Sequence, residues 1–278
     1  MQCLTVVLFV CVKVTGASSG IGRATALEFA SRGASVVLGA RRVPELEALV
    51  KEITLAGGKA VAVKLDVTDE KDQANIVKVA LDNFGALHIA FNNAGIVSAS
   101  HRTAYHCAAA DCVRVLCVQL TSGLVWEQSQ EDFEKVYRVN VTGVFLSMKH
   151  QIPALKASKG GVIINNASVV GEASSLALKG FAAYSSTKRA VIGLSEQVAA
   201  DASEYGIRVV VVNPGATATE GFPEKAAQSM AEAINLPGFR KAIDSKDIAK
   251  AVAFLASDDA RFITATGLTV AGGAFKVI

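Results

Sequence analysis

Tyr184 and Lys188 lie four residues apart in the stretch Ala183-Tyr184-Ser185-Ser186-Thr187-Lys188. On a helix that spacing puts both side chains on one face, a turn apart. A phenol has a pKa of about 10 and a neighbouring ammonium favours the phenolate, so such a pair can serve as an acid/base device. Ser168 is a candidate for a third, assisting hydroxyl. An isolated Tyr-x-x-x-Lys is ordinarily a solvated pair on a surface helix, so its meaning depends on the elements that position it.

The first of those elements is a glycine turn. The β-branched, apolar run Val6–Val14 leads into Thr15-Gly16-Ala17-Ser18-Ser19-Gly20-Ile21-Gly22, and a helical pattern follows from about Ile21 to Arg32. Strand, glycine turn and helix together form a phosphate cradle. Glycines let the backbone approach a pyrophosphate, and the helix start offers free N–H groups at the positive end of its dipole. A second strand, Ser35–Ala40, ends in Arg41-Arg42. A fold that selects NAD usually has an acid after this strand, for the ribose 2′-hydroxyl, whereas an arginine there suits a 2′-phosphate. Ala40 stands at the acid's place with two arginines beyond it. This favours NADP(H) over NAD(H), against the plainer reading of two solvated arginines at a helix entry.

The rest of the chain alternates in the same way. Pro44–Ala56 reads as a helix closed by Gly57-Gly58, and Lys59–Leu65 as a third strand ending at Asp66-Val67. Thr68 is the expected cap of a helix running to about Phe84, and Leu87–Phe91 is a fourth strand followed by Asn92-Asn93-Ala94-Gly95. Ser129 is a candidate cap for a helix from Gln130 towards Ile152-Pro153. Gly161–Asn166 and Ile207–Val212 are further strands, with the long Ala182–Tyr205 helix between them. Ala216–Arg240 is less regular and is the expected substrate lid; Ser245 should cap a helix, and Leu268–Val270 can form a last strand. This alternation implies a single α/β domain, a doubly wound parallel sheet with helices on both faces. Ligands of such sheets sit beyond the carboxyl ends of the strands. Gly16–Gly22, Arg41, Asp66 and Asn93 all fall there.

Bulk properties exclude several classes. The 278 residues carry a net charge of +3, with no basic tract or aromatic-basic interleaving, so nucleic acid is not an expected partner. No apolar run reaches the ~20 residues of a membrane span. Leu4–Val12, the richest run, reads as a buried strand in preference to a degenerate signal peptide. The five cysteines, Cys3, Cys11, Cys107, Cys112 and Cys117, match no zinc spacing and no disulfide framework. A reducing, cytoplasmic setting and no metal site are expected.

Taken together, these motifs resemble the short-chain dehydrogenase/reductase family, in its single-domain form, from Thr15 to about Gly273. They stand in the family's order: the glycine turn, Asp66, Asn92-Asn93-Ala94-Gly95, Asn140, Ser168, Tyr184-x-x-x-Lys188 and Asn213-Pro214-Gly215. The resemblance implies a Rossmann-like fold and hydride exchange between a nicotinamide cofactor and a small carbonyl or alcohol substrate. Tyr184 would be the general acid/base. Lys188 would lower its pKa and hold the ribose hydroxyls, Ser168 would bond the substrate oxygen, and Asn140 would hold a water that relays protons to Lys188. Cofactor contacts would come from Gly16, Ser18, Gly20, Ile21 and Gly22 of the turn, from Arg41 and Arg42, and from Asp66 and Val67 at the adenine. Asn93 and Gly95 would line the cleft, and Pro214, Gly215, Thr217 and Thr219 would hold the carboxamide. A homodimer or homotetramer through the Gln130 and Ala182 helices is also implied.

The chain departs from the family's pattern in places. Asn140 lies 45 residues beyond Gly95, about twice the family's spacing, and the surplus falls within an irregular, cysteine-rich stretch at about 98–122. That stretch reads as a surface insertion beside the cleft or as a translated intron. Lys13 occupies a core position of the first strand, where a lysine must snorkel or find a partner. Ser168 and Tyr184 are 16 residues apart, slightly more than the family's habit, and Ala271 replaces an acid usual before the last Gly-Gly. These departures leave a second reading open, a cofactor-binding protein whose catalysis is impaired.

Overall fold

A strand buried along its whole length belongs at the centre of a parallel sheet, and β1 (Cys11–Thr15) is such a strand. It pairs in parallel with β2 (Ser35–Ala40), with Val12 opposite Val36, and with β4 (Ile89–Asn92), with Val12 opposite Ile89. The computed structural model describes residues 10–97, 124–172 and 178–274. Around β1 the sheet runs β3 (Lys59–Lys64), β2, β1, β4, β5 (Gly161–Asn166), β6 (Ile207–Pro214), β9 (Gly267–Val270), all parallel. Strand order reverses between β1 and β4, so a crevice opens beyond their carboxyl ends. A separate two-stranded pair joins β7 (Thr217–Ala218) to β8 (Ile243–Asp244).

Alternation along the strands splits the core in two. Val12, Val14, Val36 and Leu38 face α1 (Gly20–Ser31), α2 (Val43–Leu55) and α8 (Ser245–Ala256). Cys11, Val37 and Ile163 face α3 (Glu70–Phe84), α5 (Gly143–Ala157) and α6 (Ala182–Ala202). The remaining helices are α4 (Gln130–Tyr137) and α7 (Glu224–Ile234). Among the described residues no helix is long and apolar enough to cross a membrane.

The expected elements are present, with corrections at their ends. Residues 1–9 and the stretch 98–122 lie outside the described residues. Ser129 caps α4, accepting from Asp132 N. The cap of α3 is Asp69, not Thr68, whose hydroxyl turns back to Asp66; the cap of α8 is Asp244, not Ser245. A carboxylate outcompetes the adjacent hydroxyl as an acceptor for free N–H groups at the positive end of a helix. The single helix expected from Gln130 is two helices joined by a π-helical turn, Arg138–Thr142. The region 216–240 is more ordered than expected, because it contains β7 and α7.

Lys13 does not snorkel. Its side chain is fully buried, and Nζ donates to Gln73 Oε1 at 3.1 Å. Ser147 Oγ donates to the same oxygen, and Gln73 Nε2 donates to the Val67 and Gly143 carbonyls. Its partner is therefore an amide, not a carboxylate, and burial lowers the lysine pKa to about 7. The unfolded chain holds the proton up to about 10.4. Between those values the unfolded state binds more protons, so stability rises with pH across the window and is lost as pH falls towards 7. We expect Lys13→Met to raise unfolding free energy at pH 7 by about 1–3 kcal/mol and to flatten its dependence between pH 7 and 10. Urea unfolding of both proteins at several pH values measures this; an unchanged slope in the variant would assign the pH dependence to other groups.

Candidate active site

The cleft at the carboxyl ends of the strands begins with a chain of amides. Thr15, the last residue of β1, accepts at Oγ1 from Asn93 N and Ala94 N, at 3.0 and 3.1 Å, while its carbonyl accepts from Asn93 Nδ2 at 3.1 Å. Asn93 Oδ1 accepts from Asn166 Nδ2 at 2.8 Å, and the Asn166 carbonyl accepts from Lys188 Nζ at 2.8 Å. The ends of β1, β4 and β5 are thereby tied to one another and to the ammonium of α6.

Tyr184 and Lys188 occupy the first two turns of α6, and the lysine Nζ lies 5.4 Å from the phenol ring centroid. Ser168, two residues past β5, reaches the same phenol despite the wide spacing in sequence. Burial pushes the Tyr184 phenol up to about 12, and the hydrogen bond from Ser168 offsets part of that rise. Burial also takes Lys188 down to about 8. The expected lowering of the phenol by the lysine does not accompany these shifts. The ammonium is spent on the Asn166 carbonyl, and both groups have lost water, which disfavours the charged form of each.

Asn140 lies behind the cleft wall rather than on it, 1% exposed, within the π-helical turn. Its Oδ1 accepts from Ile96 N, and its Nδ2 donates to Ile96 O and to Thr187 Oγ1, at 2.8, 2.8 and 3.1 Å. Thr187 Oγ1 in turn donates to Tyr184 O at 2.7 Å. Gly95 closes the group, since a Cβ there would stand 3.2 Å from Asn140 Oδ1 and 3.5 Å from Lys188 Nζ. Sequence reasoning did not single out Thr187 or Asn166. Their only signal was position, one residue before Lys188 and at the end of a strand.

Of the expected residues, Ile21, Asn93, Gly95, Ser168, Tyr184, Lys188, Pro214, Gly215, Thr217 and Thr219 line one cavity of about 580 Å³. Val169, Val170, Leu178, Phe181, Met230 and Ile234 complete its apolar wall, and Lys188 is the one charged side chain among its described lining residues. Gly16, Ser18, Gly20, Gly22, Arg41, Arg42, Asp66 and Val67 lie at the same end of the sheet, outside that cavity. Asp66 Oδ1 accepts from the backbone and hydroxyl of Thr68; burial opposes its ionisation, but those bonds and nearby Arg41 hold the carboxyl below its usual value. Val67 is turned inward, against Gly143.

The glycine turn fits a dinucleotide. A Cβ on Gly22 would come within 2.3 Å of Gly16 O, so the turn closes only with glycine there. Gly20 N, at the start of α1, already donates to an anion, the Glu220 carboxylate, at 2.7 Å. Arg42 Nη2 donates to the Ser18 and Ser19 hydroxyls at 3.0 and 2.8 Å, which places a guanidinium over the turn. Among the described residues no cluster of histidine, cysteine or carboxylate groups could hold a metal ion.

The chain is similar to known proteins along most of its length. The short chain dehydrogenase family profile matches residues 10–229. Cyclohexanol dehydrogenase of Acinetobacter sp. (strain SE19) is 35% identical over 259 residues, covering 93% of this chain and 92% of the relative. (+)-Borneol dehydrogenase 2 of Salvia officinalis is 34% identical, covering 94% and 87%. Among solved structures, levodione reductase superposes with a TM-score of 0.81 at 28% identity, over 96% of this chain and 97% of its own. With the family's profile spanning most of its length, and with relatives matched nearly end to end, this chain is a member of the short-chain dehydrogenase/reductase family, an oxidoreductase acting on CH–OH groups.

Proposed function

We propose that this oxidoreductase uses NADP(H) to interconvert a ketone or aldehyde and the corresponding alcohol, with Tyr184 as general acid/base. The observation that carries the reading is the convergence of Tyr184, Ser168 and Lys188 on one cleft beside the strand crossover. When bound, the nicotinamide supplies or accepts the hydride. In reduction, the Tyr184 hydroxyl gives its proton to the carbonyl oxygen, and Ser168 Oγ donates a hydrogen bond to the same oxygen. Lys188 holds ribose hydroxyls and resupplies the phenol's proton, and a water held at Asn140 relays protons to Lys188. In oxidation the proton moves the other way.

Arg42 over the glycine turn, with Arg41 beside it and Ala40 in place of an acid, supports a 2′-phosphate. Gly16, Ser18, Gly20, Ile21 and Gly22 are assigned to the phosphates, Asp66 and Val67 to the adenine, and Asn93, Gly95, Pro214, Gly215, Thr217 and Thr219 to the nicotinamide end. The apolar wall suits an uncharged, apolar substrate; the names of the cyclohexanol and borneol dehydrogenases point to a cyclic secondary alcohol or its ketone. One domain spans 1–278, with an insertion at about 98–122. A homodimer or homotetramer draws support from Phe133 on α4 and Phe145 on α5, which expose their rings. A cytoplasmic location rests on the cysteine pattern of the sequence.

NADPH oxidation against a panel of ketones tests the activity. Tyr184→Phe should lower kcat by about 10²- to 10⁴-fold and leave NADPH binding nearly intact; substantial residual turnover would count against the assignment. Arg42→Ala should weaken NADPH binding by about ten-fold and change NADH binding little. Tight NADH and weak NADPH binding by the unaltered protein would reverse the cofactor assignment. The pH dependence has a definite sign. Lys188 is charged below about 8 and Tyr184 keeps its proton to about 12. Reduction should therefore fall as pH rises through 8, and oxidation should climb. Parallel pH profiles in the two directions would rule this proton path out.

A further inference from the structure

The segment after β7 rests on the glycine turn. Thr219 Cγ2 would stand 2.9 Å from a Cβ built on Gly20, so the turn and this segment are in direct contact. Thr219 and Phe222 exchange backbone hydrogen bonds at 3.0 and 3.1 Å, and Phe222 N also donates to Thr219 Oγ1. The tight turn between them carries Glu220, whose Oε2 accepts from Gly20 N. The start of α1 has no side-chain cap from Ser19 and no acid in its first turn. A carboxylate 200 residues away in sequence supplies what local sequence does not. Among the described residues no cation pairs with Glu220, although Arg23 and Lys246 line the same surface pocket.

Gly20 N is one of the donors assigned above to the cofactor's phosphates, and the inference rests on that assignment. A carboxylate and a pyrophosphate cannot share one N–H, and at hydrogen-bonding distance their charges repel. We propose that Glu220 sets cofactor affinity as an internal competitor: its carboxylate holds the phosphate-binding N–H in the free protein and is displaced when the dinucleotide enters. Displacement also moves the residues on either side. Thr219, Gly221 and Phe222 line the catalytic cleft, so cofactor entry reshapes the wall that the substrate meets.

NADPH titration of the full-length protein by cofactor fluorescence tests this, with Glu220→Ala and Glu220→Gln beside the unaltered chain. Glu220 is exposed, so both variants should fold. We expect the alanine variant to bind NADPH about three- to ten-fold more tightly, with the glutamine variant between. In the cofactor-free state the Gly20 amide should exchange its hydrogen faster in the alanine variant, because its acceptor is gone. Unchanged or weaker NADPH binding in the alanine variant would overturn the role of Glu220 and leave the cofactor assignment standing. Failure of all three proteins to bind either NADPH or NADH would overturn both. Binding by the alanine variant alone would be the strongest form of the expected result.

Discussion

The site depends on the fastening of strand ends at the point where the sheet reverses direction. A parallel sheet leaves its carboxyl ends open there, and the backbone groups of those ends must find partners outside the ladder. Asn93 and Asn166 provide them, joining the carbonyl of Thr15 to the ammonium of Lys188 through two side-chain amides and one main-chain oxygen. The glycine turn starts at the first link of this chain and α6 is held at the last. The glycine turn and the Tyr184–Lys188 pair are consequently fixed to one frame, though 172 residues separate Gly16 from Lys188. Rigid elements hold reacting groups more closely than loops can.

That frame sets the electrostatics as well. Where two groups of opposite charge tendency are both stripped of water, the loss of hydration competes with their attraction. For Tyr184 and Lys188 the loss dominates, and each is displaced towards its neutral form. The lysine reaches for a carbonyl oxygen instead of a carboxylate, so nothing nearby restores its charge. A neutral phenol suits proton donation to a carbonyl, and a lysine poised near 8 can give or take a proton at physiological pH. Thr187 contributes by its place in the packing. It bridges the Asn140 amide to the carbonyl of Tyr184, and so couples the π-helical turn to the helix that carries the phenol.

How far the sequence foretold this depends on the range of the interactions. The alternation of strands and helices, the glycine turn and the Tyr-x-x-x-Lys face follow from periodicity and local chemistry, which act over a few residues. The cap at Ser129 was legible because no competing carboxylate sits beside it. At Thr68 and Ser245 the neighbouring aspartates took the role, a contest between adjacent oxygens that composition alone does not decide. The π-helical turn at Asn140 left no periodic signature, since an extra residue in one turn looks like an ordinary helix phase. The family resemblance gave Asn140 its place in the order of motifs but could not show that it lies behind the cleft wall. Partners distant in sequence were the least legible. Gln73 for Lys13 and Glu220 for Gly20 stand 60 and 200 residues away, and neither position carries a mark of its pairing.

Those two long-range pairs show the same physics with opposite consequences. Lys13 is fully enclosed, and its amide partner cannot compensate the loss of hydration that a full charge suffers. The fold tolerates it because Gln73 is itself satisfied on every side, holding the loop at Val67 and the first residue of α5 while its oxygen takes the lysine. An apolar residue would stabilise β1 but would leave that oxygen with Ser147 alone. Glu220 lies in solvent, keeps its hydration, and loses little by letting go of Gly20. A buried polar contact of this kind fixes structure, whereas an exposed one at a helix start is weak enough to be exchanged for a ligand. Its position in the fold, more than its chemistry, makes the first a matter of stability and the second a matter of binding.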